Sequence, residues 1–152
     1  MDSIDRMILR ELQSEGRLPN AELADRVGLT PSPCLRRVRQ LEADGVIRRY
    51  AAVVDPARIG RSFEVFVCVE LQKEDRATIT AFEDRVRELR DVVEAYRLFG
   101  GQDYLLRIAV ADISAYEHCY TNELATLPGV ARLTSHLAMK AVVAERPRPV
   151  DG

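Results

Sequence analysis

The sequence has no excess of either charge: 22 Lys+Arg stand against 24 Asp+Glu, for a formal net charge of -2. That excludes a nucleic-acid binder working through bulk positive charge, but not one whose cations are local. Long apolar runs are missing too. The longest, such as Val65 to Val69, are about five residues, far below the ~20 of a membrane helix. The opening Met1-Asp2-Ser3-Ile4-Asp5 lacks the basic and apolar regions of a secretory signal. Cysteine is scarce, with only Cys34, Cys68 and Cys119 and no C-x-x-C spacing. An odd count so spaced fits reduced thiols, not a disulfide framework or a zinc ribbon. Lysine is nearly absent, occurring only at Lys73 and Lys140. The expectation is a soluble cytoplasmic protein without membrane contact. Its 152 residues suffice for one typical domain or two small ones, and a hydrophobic share of 47% argues for a packed core.

What is present begins with helical punctuation. Asp2 or Ser3 is placed to cap a first helix, in which Ile4, Ile8 and Leu12 recur at helical spacing. Gly16 is expected to end it with a left-handed backbone. Asn20 reads as the N-cap of a short helix over Ala21 to Val27, with Leu23, Ala24 and Val27 on one face. Gly28 makes a tight turn. Thr30 caps a third helix, and Pro31 sits at its first position, where a missing N–H costs nothing. Pro33 is tolerated in the same turn, and Gly45 stops the helix after Asp44.

Two helices joined by a short Gly-containing turn form the helix-turn-helix pattern. In the third helix, Cys34, Leu35, Val38 and Leu41 are expected to face inward at 100° per residue. Arg36 and Gln40 lie opposite, flanked by Ser32, Arg37 and Arg39. Such a face suits the major groove, because a helix N-terminus favours phosphate and Arg can bridge guanine O6 and N7. The alternative is a solvated Arg-rich face. Val46 to Val54 reads as a strand whose Arg48 and Arg49 sit beside DNA as a wing, or as an ordinary linker strand with exposed arginines. Between residues 30 and 50, five arginines stand against Glu42 and Asp44, so positive charge is local after all.

Asp55-Pro56-Ala57-Arg58-Ile59-Gly60 is a turn and linker signal. Residues 1–50 thus form one domain, 51–61 a linker, 62–145 a second domain and 146–152 a tail. In the second domain the order is strand, helix, strand, strand, helix, strand. The strands are expected at Phe63 to Leu71, Val92 to Phe99, Tyr104 to Ala111 and Val130 to about Val143. The helices are expected at Arg76 to Leu89 and Ile113 to Leu127. Leu89-Arg90-Asp91-Val92 and Leu127-Pro128-Gly129-Val130 close the two helices about 38 residues apart, a weak internal repeat of two βαβ halves. The fold class is therefore α+β, a three-helix helix-turn-helix domain plus a ferredoxin-like βαββαβ domain with both helices on one sheet face. The other face carries Phe66 and Cys68 with no cover, which points to dimerisation through the sheet.

The residues resemble the Lrp/AsnC (feast/famine) regulators. The likeness is carried by Ile4-Asp5, Glu22-Leu23-Ala24, Val27-Gly28-Leu29, Ser32-Pro33-Cys34-Leu35-Arg36-Arg37-Val38 and Leu41-Glu42-x-x-Gly45-Val46-Ile47. Gly100-x-x-Asp103-Tyr104 and Leu127-Pro128-Gly129-Val130 continue it in the second half. The resemblance implies a bacterial or archaeal, nucleoid-associated transcription regulator that binds double-stranded promoter half-sites. Thr30, Ser32, Pro33, Arg36, Arg37, Arg39, Gln40, Arg48 and Arg49 are then the DNA-binding residues. It also implies homodimers assembling to higher oligomers, up to an octamer, and an amino-acid effector with no further cofactor. The implied effector site is the loop Gly100, Gly101, Gln102, Asp103 and Tyr104, with Thr134, Ser135 and His136 as a neighbouring wall. Glycine N–H groups approach a carboxylate closely and Asp103 can pair with an α-ammonium; alternatively Asp103 only caps its own turn.

Rival readings are a thiol-responsive regulator using Cys34 at a helix N-terminus and a ferredoxin-like binding or oligomerisation module. An enzyme is disfavoured, since there is no phosphate loop, nucleophile-base spacing or metal motif. A metal site would need His118, Cys119 and His136, yet adjacent helical residues 118 and 119 point about 100° apart.

Overall fold

A computed structural model describes residues 1–150. The chain divides into two compact units, Met1–Val53 together with Val142–Gly152, and Val54–Ala141. No helix among the described residues is long and apolar enough to cross a membrane.

The first unit holds α1 (Ser3–Ser14), α2 (Asn20–Arg26) and α3 (Pro31–Ala43). Asp2 caps α1 in a reciprocal box, accepting from the Asp5 N–H while Asp5 accepts from its own, each at 2.9 Å. Gly16 does not close α1 as expected, because Glu15 is the C-cap and Gly16 has no positive φ. Asn20 is not the N-cap of α2: Pro19 occupies that position, and the Asn20 amide donates to the Pro31 carbonyl at 2.9 Å. That bond ties the start of α2 to the start of α3. Gly28 has φ +70°, and beyond it the Leu29 N–H reaches the Ala24 carbonyl at 2.8 Å. This closes α2 in a 6→1 motif that only a left-handed residue permits. Thr30 is the N-cap of α3 by backbone position, without a side-chain capping bond.

Ile8, Leu23, Ala24, Cys34, Val38 and Leu41 form the buried centre of this unit. Residues 146–150 of the expected tail belong to it; 151 and 152 lie outside the described residues. Val150 packs on the helical core. The Gln13 amide exchanges two hydrogen bonds with the Arg148 backbone, at 3.1 and 2.9 Å, and Arg10 donates to the Val150 carbonyl at 3.1 Å. Val46 to Val54 is not a strand. No strand of the unit runs beside it, so its backbone lacks the partner that a ladder requires.

The second unit holds β1 (Phe63–Leu71), α4 (Arg76–Glu88), β2 (Val92–Arg97), β3 (Tyr104–Val110), α5 (Ile113–Asn122) and β4 (Val130–Leu137). The sheet is antiparallel with strand order β2-β3-β1-β4, the ferredoxin-like arrangement. β2 and β4 are shorter than expected, and α5 gives way to a 3₁₀ turn at Leu124–Thr126. Val65, Val67 and Val69 of β1 alternate inward against Leu106 and Ile108 of β3, Phe82 and Val86 of α4, and Cys119 of α5. Leu89 and Leu127 close their helices with the same extended backbone, and both are buried. The weak repeat is therefore structural. At Gly129, φ is +72° and a Cβ would collide with the Thr78 methyl, so glycine is required there.

The opposite sheet face is mixed rather than bare and apolar. Phe66, Cys68, Leu105 and Tyr96 share it with Arg107, which lies 3.2 Å from Glu94 and 4.0 Å from Glu64. Arg132 lies 4.0 Å from Glu70.

Candidate nucleic-acid interface and effector site

α3 presents two unlike faces. Cys34, Val38 and Leu41 are buried, while Ser32, Leu35, Arg36, Arg39 and Gln40 are exposed and line a hollow of about 330 Å³. Pro33 is half-buried, in the first turn, where its missing N–H has no cost. Among the described residues, Arg36 and Arg39 form no ion pair with a carboxylate. Gln40 holds Asp44 at 2.7 Å, one turn along. Arg48 and Arg49 are exposed beyond the helix. The positive charge expected from the sequence therefore stands on the outward side of α3 and just after it.

Two residues depart from the expected helical faces. Arg37 does not join the exposed set. Its guanidinium lies 2.7 Å from both Asp2 and Asp5, locking α3 to the capping box of α1. The Asp5 N–H and the Arg37 side chain together hold the Asp2 carboxyl below the usual carboxylate range. Leu35 is 37% exposed, not inward. At 100° per residue it stands about 95° from the midline of the buried stripe, while Arg37 stands about 65° from it. Counting Leu35 as core shifts the apparent midline and hides both departures. Asn20, which fixes the angle between α2 and α3, has no signal in periodicity at all.

Cys34 is fully buried, and burial pushes its thiol pKa up. A reactive thiolate needs the reverse, so the rival thiol chemistry finds no support at this residue.

In the second unit the loop after β2 carries the expected effector residues. Gly100, Gly101 and Gln102 lie at the hairpin turn, and Gly100 has φ +149°. The Asp103 side chain does not cap its own turn. It accepts from the Leu71 N–H at 2.7 Å, while the Asp103 N–H donates to the Val69 carbonyl at 3.0 Å. The hairpin is thereby pinned to the end of β1. The Tyr104 side chain is core rather than wall. It is 3% exposed, its ring lies 4.5 Å from that of Phe82, and its hydroxyl donates to Glu83 at 2.9 Å. Burial and the Glu83 charge raise its phenol pKa to about 12.

Within one chain, Thr134, Ser135 and His136 do not stand beside this loop. They pair with Cys68, Val67 and Phe66 of β1, while the hairpin belongs to β2 and β3 on the other side of β1. Ser135 turns to the helix layer, where its hydroxyl lies 2.6 Å from that of Tyr116. Thr134 and His136 share the open face with their β1 partners. Gly100, Gly101, Gln102 and the remaining carboxylate oxygen of Asp103 are what this chain itself brings together.

Comparison with known proteins accounts for both units. Residues 1–48 match the family model described as winged helix-turn-helix DNA-binding. Residues 64–148 match the model described as Lrp/AsnC ligand binding domain. The chain is 39% identical over 150 residues to the Bkd operon transcriptional regulator of Pseudomonas aeruginosa, covering 99% of this chain and 98% of that one. It is 41% identical over 142 residues to the leucine-responsive regulatory protein of Escherichia coli, covering 93% and 87%. Among solved structures, a transcriptional regulator from Neisseria meningitidis in complex with L-Met superposes with a TM-score of 0.95 at 34% identity, covering 99% of this chain and 97% of that one.

Proposed function

The chain belongs to the Lrp/AsnC family of DNA-binding transcriptional regulators with a ligand-binding domain, and from that premise we propose that α3 enters the major groove of promoter DNA in the cytoplasm. Arg36 and Arg39 reach base edges or phosphates, Ser32 and Gln40 complete the outward face, Thr30 and Pro33 set the start of the helix, and Arg48 and Arg49 contact the backbone. Arg37 acts indirectly, by holding α3 on α1. The observation that carries this reading is the pair of unpaired arginines on a helix whose other side is locked into a core. A carboxylate partner would have compensated their charge, and among the described residues neither has one.

A small amino acid modulates DNA binding or assembly from the loop Gly100–Asp103. Support comes from the exposed glycine backbone beside a carboxylate with one oxygen still open. The names of the relatives point the same way, one leucine-responsive and one crystallised with L-Met. The open sheet face, where Phe66, Cys68 and Leu105 stand beside the Arg107 ion pairs, is the surface through which two copies associate, and dimers assemble further, up to an octamer. Thr134 and His136 then lie at that contact, not at the hairpin.

The test has two arms. Replacing Arg36 by Ala is expected to weaken binding to a promoter half-site by about 1–3 kcal/mol; unchanged binding contradicts the reading. A thermal-shift screen against the twenty amino acids is expected to return at least one that raises Tm, because a ligand of the folded state stabilises it. A flat screen contradicts the effector assignment.

A further inference from the structure

Leu35 is the one apolar side chain in the hollow on the outward side of α3, among Ser32, Arg36, Arg39 and Gln40. It is 37% exposed, against 9% or less for the residues of the buried core. Its neighbours on the helix surface are Ser32 at i−3 and Arg39 at i+4.

We infer that Leu35 is a specificity-determining residue that packs on the C5 methyl of a thymine in the major groove. This rests on α3 being the reading helix. On a base-pair edge in that groove the thymine methyl is the one apolar group that projects from the edge, and its principal neighbours are hydrogen-bond donors and acceptors. Arginine, serine and glutamine address those polar groups; a leucine among them does not. Leu35 and Arg39 are about one helical turn apart, ~5.4 Å. The rise of DNA is about 3.4 Å per base pair. The thymine therefore lies within about two base pairs of the base that Arg39 contacts.

The experiment uses duplexes selected from a random pool by the full-length protein. In the selected duplex, each thymine of a half-site is replaced in turn by deoxyuridine, which removes only the C5 methyl. One replacement per half-site is expected to weaken binding about fourfold. That is the ~0.8 kcal/mol of one buried apolar carbon, converted at 1.4 kcal/mol per tenfold. The other replacements should leave binding unchanged. Leu35→Ala should bind the parent and that deoxyuridine duplex equally, with a smaller loss of Tm than Leu41→Ala, whose side chain is in the core. Leu35→Gln, of similar length but polar, should lose the same discrimination. Equal wild-type binding to every deoxyuridine duplex overturns the assignment, as does discrimination that persists in Leu35→Ala. Selected half-sites without thymine also overturn it. Failure of the underlying reading looks different: Arg36→Ala would then bind the selected duplex as tightly as wild type.

Discussion

On the outward side of α3, Arg36 and Arg39 stand without a carboxylate partner among the described residues, whereas on the uncovered sheet face Arg107 and Arg132 each lie beside glutamate. Both surfaces are exposed and both bear arginine, so composition alone makes them equivalent. They differ in whether the charge is already compensated. An uncompensated guanidinium keeps its donors for an external anion. A compensated one gives up that attraction and mainly orients its neighbours, with little gain in stability at an exposed site. The same sorting operates within α3, where Arg36 and Arg37 are adjacent in sequence yet one faces outward and the other is tied to Asp2 and Asp5.

The comparison breaks most visibly if the free arginines are removed. Arg36→Ala combined with Arg39→Ala should reduce specific DNA binding toward the level of random sequence, with about 1–3 kcal/mol lost for each base contact. Gel-shift titration checks it. A normal gel-shift in that double variant would place the reading surface elsewhere.

Next in size is the hairpin carboxylate. Asp103→Ala leaves the half-buried Leu71 N–H without its acceptor and should cost the second unit about 1–3 kcal/mol by denaturant titration. Asp103→Asn keeps an acceptor oxygen and should recover most of that. If Asp103→Asn is stable but deaf to the effector, the carboxylate charge serves the ligand as well as the fold.

A smaller effect is expected from Arg37→Ala, a loss of a few degrees in Tm at neutral pH without loss of base discrimination. The Asp2 carboxyl is held below its ordinary range, so the stability it contributes is complete above that range. It is lost as pH falls through the depressed value. Melting curves of wild type and Arg37→Ala should therefore converge in acid, and a constant gap down to the acid limit would count against the tie. The smallest effect is Arg107→Ala, expected to change the stability of the sheet by less than about 1 kcal/mol, and to change DNA binding only as far as it changes self-association through that face.

Much of this was legible in the sequence wherever local chemistry decides the outcome. Gly28 and Gly45, with Pro31, punctuate the helix-turn-helix because only certain residues tolerate those backbones. The order strand, helix, strand, strand, helix, strand announced a sheet with helices on one face. What stayed hidden depends on distant partners. Val46 to Val54 has the composition of a strand but no neighbouring strand in its unit. Residues 146–150 have no periodicity, yet Gln13 and Arg10 receive them. Asp103 reads as a turn residue, but the N–H it holds belongs to Leu71, far back in the chain. For Leu35 and Arg37 the wheel contained the answer, and assigning Leu35 to the core concealed it.

The central claim, that uncompensated arginines on α3 read DNA while the paired arginines of the sheet do not, is tested most directly by one side-by-side titration. The ratio of specific to random-duplex affinity is measured for wild type, Arg36→Ala and Arg107→Ala at one fixed salt concentration, since such ratios have no meaning without it. The ratio is expected to collapse for Arg36→Ala and, where Arg107→Ala still self-associates, to stay unchanged for Arg107→Ala. Equal ratios for all three, or a collapse confined to Arg107→Ala, would contradict that claim.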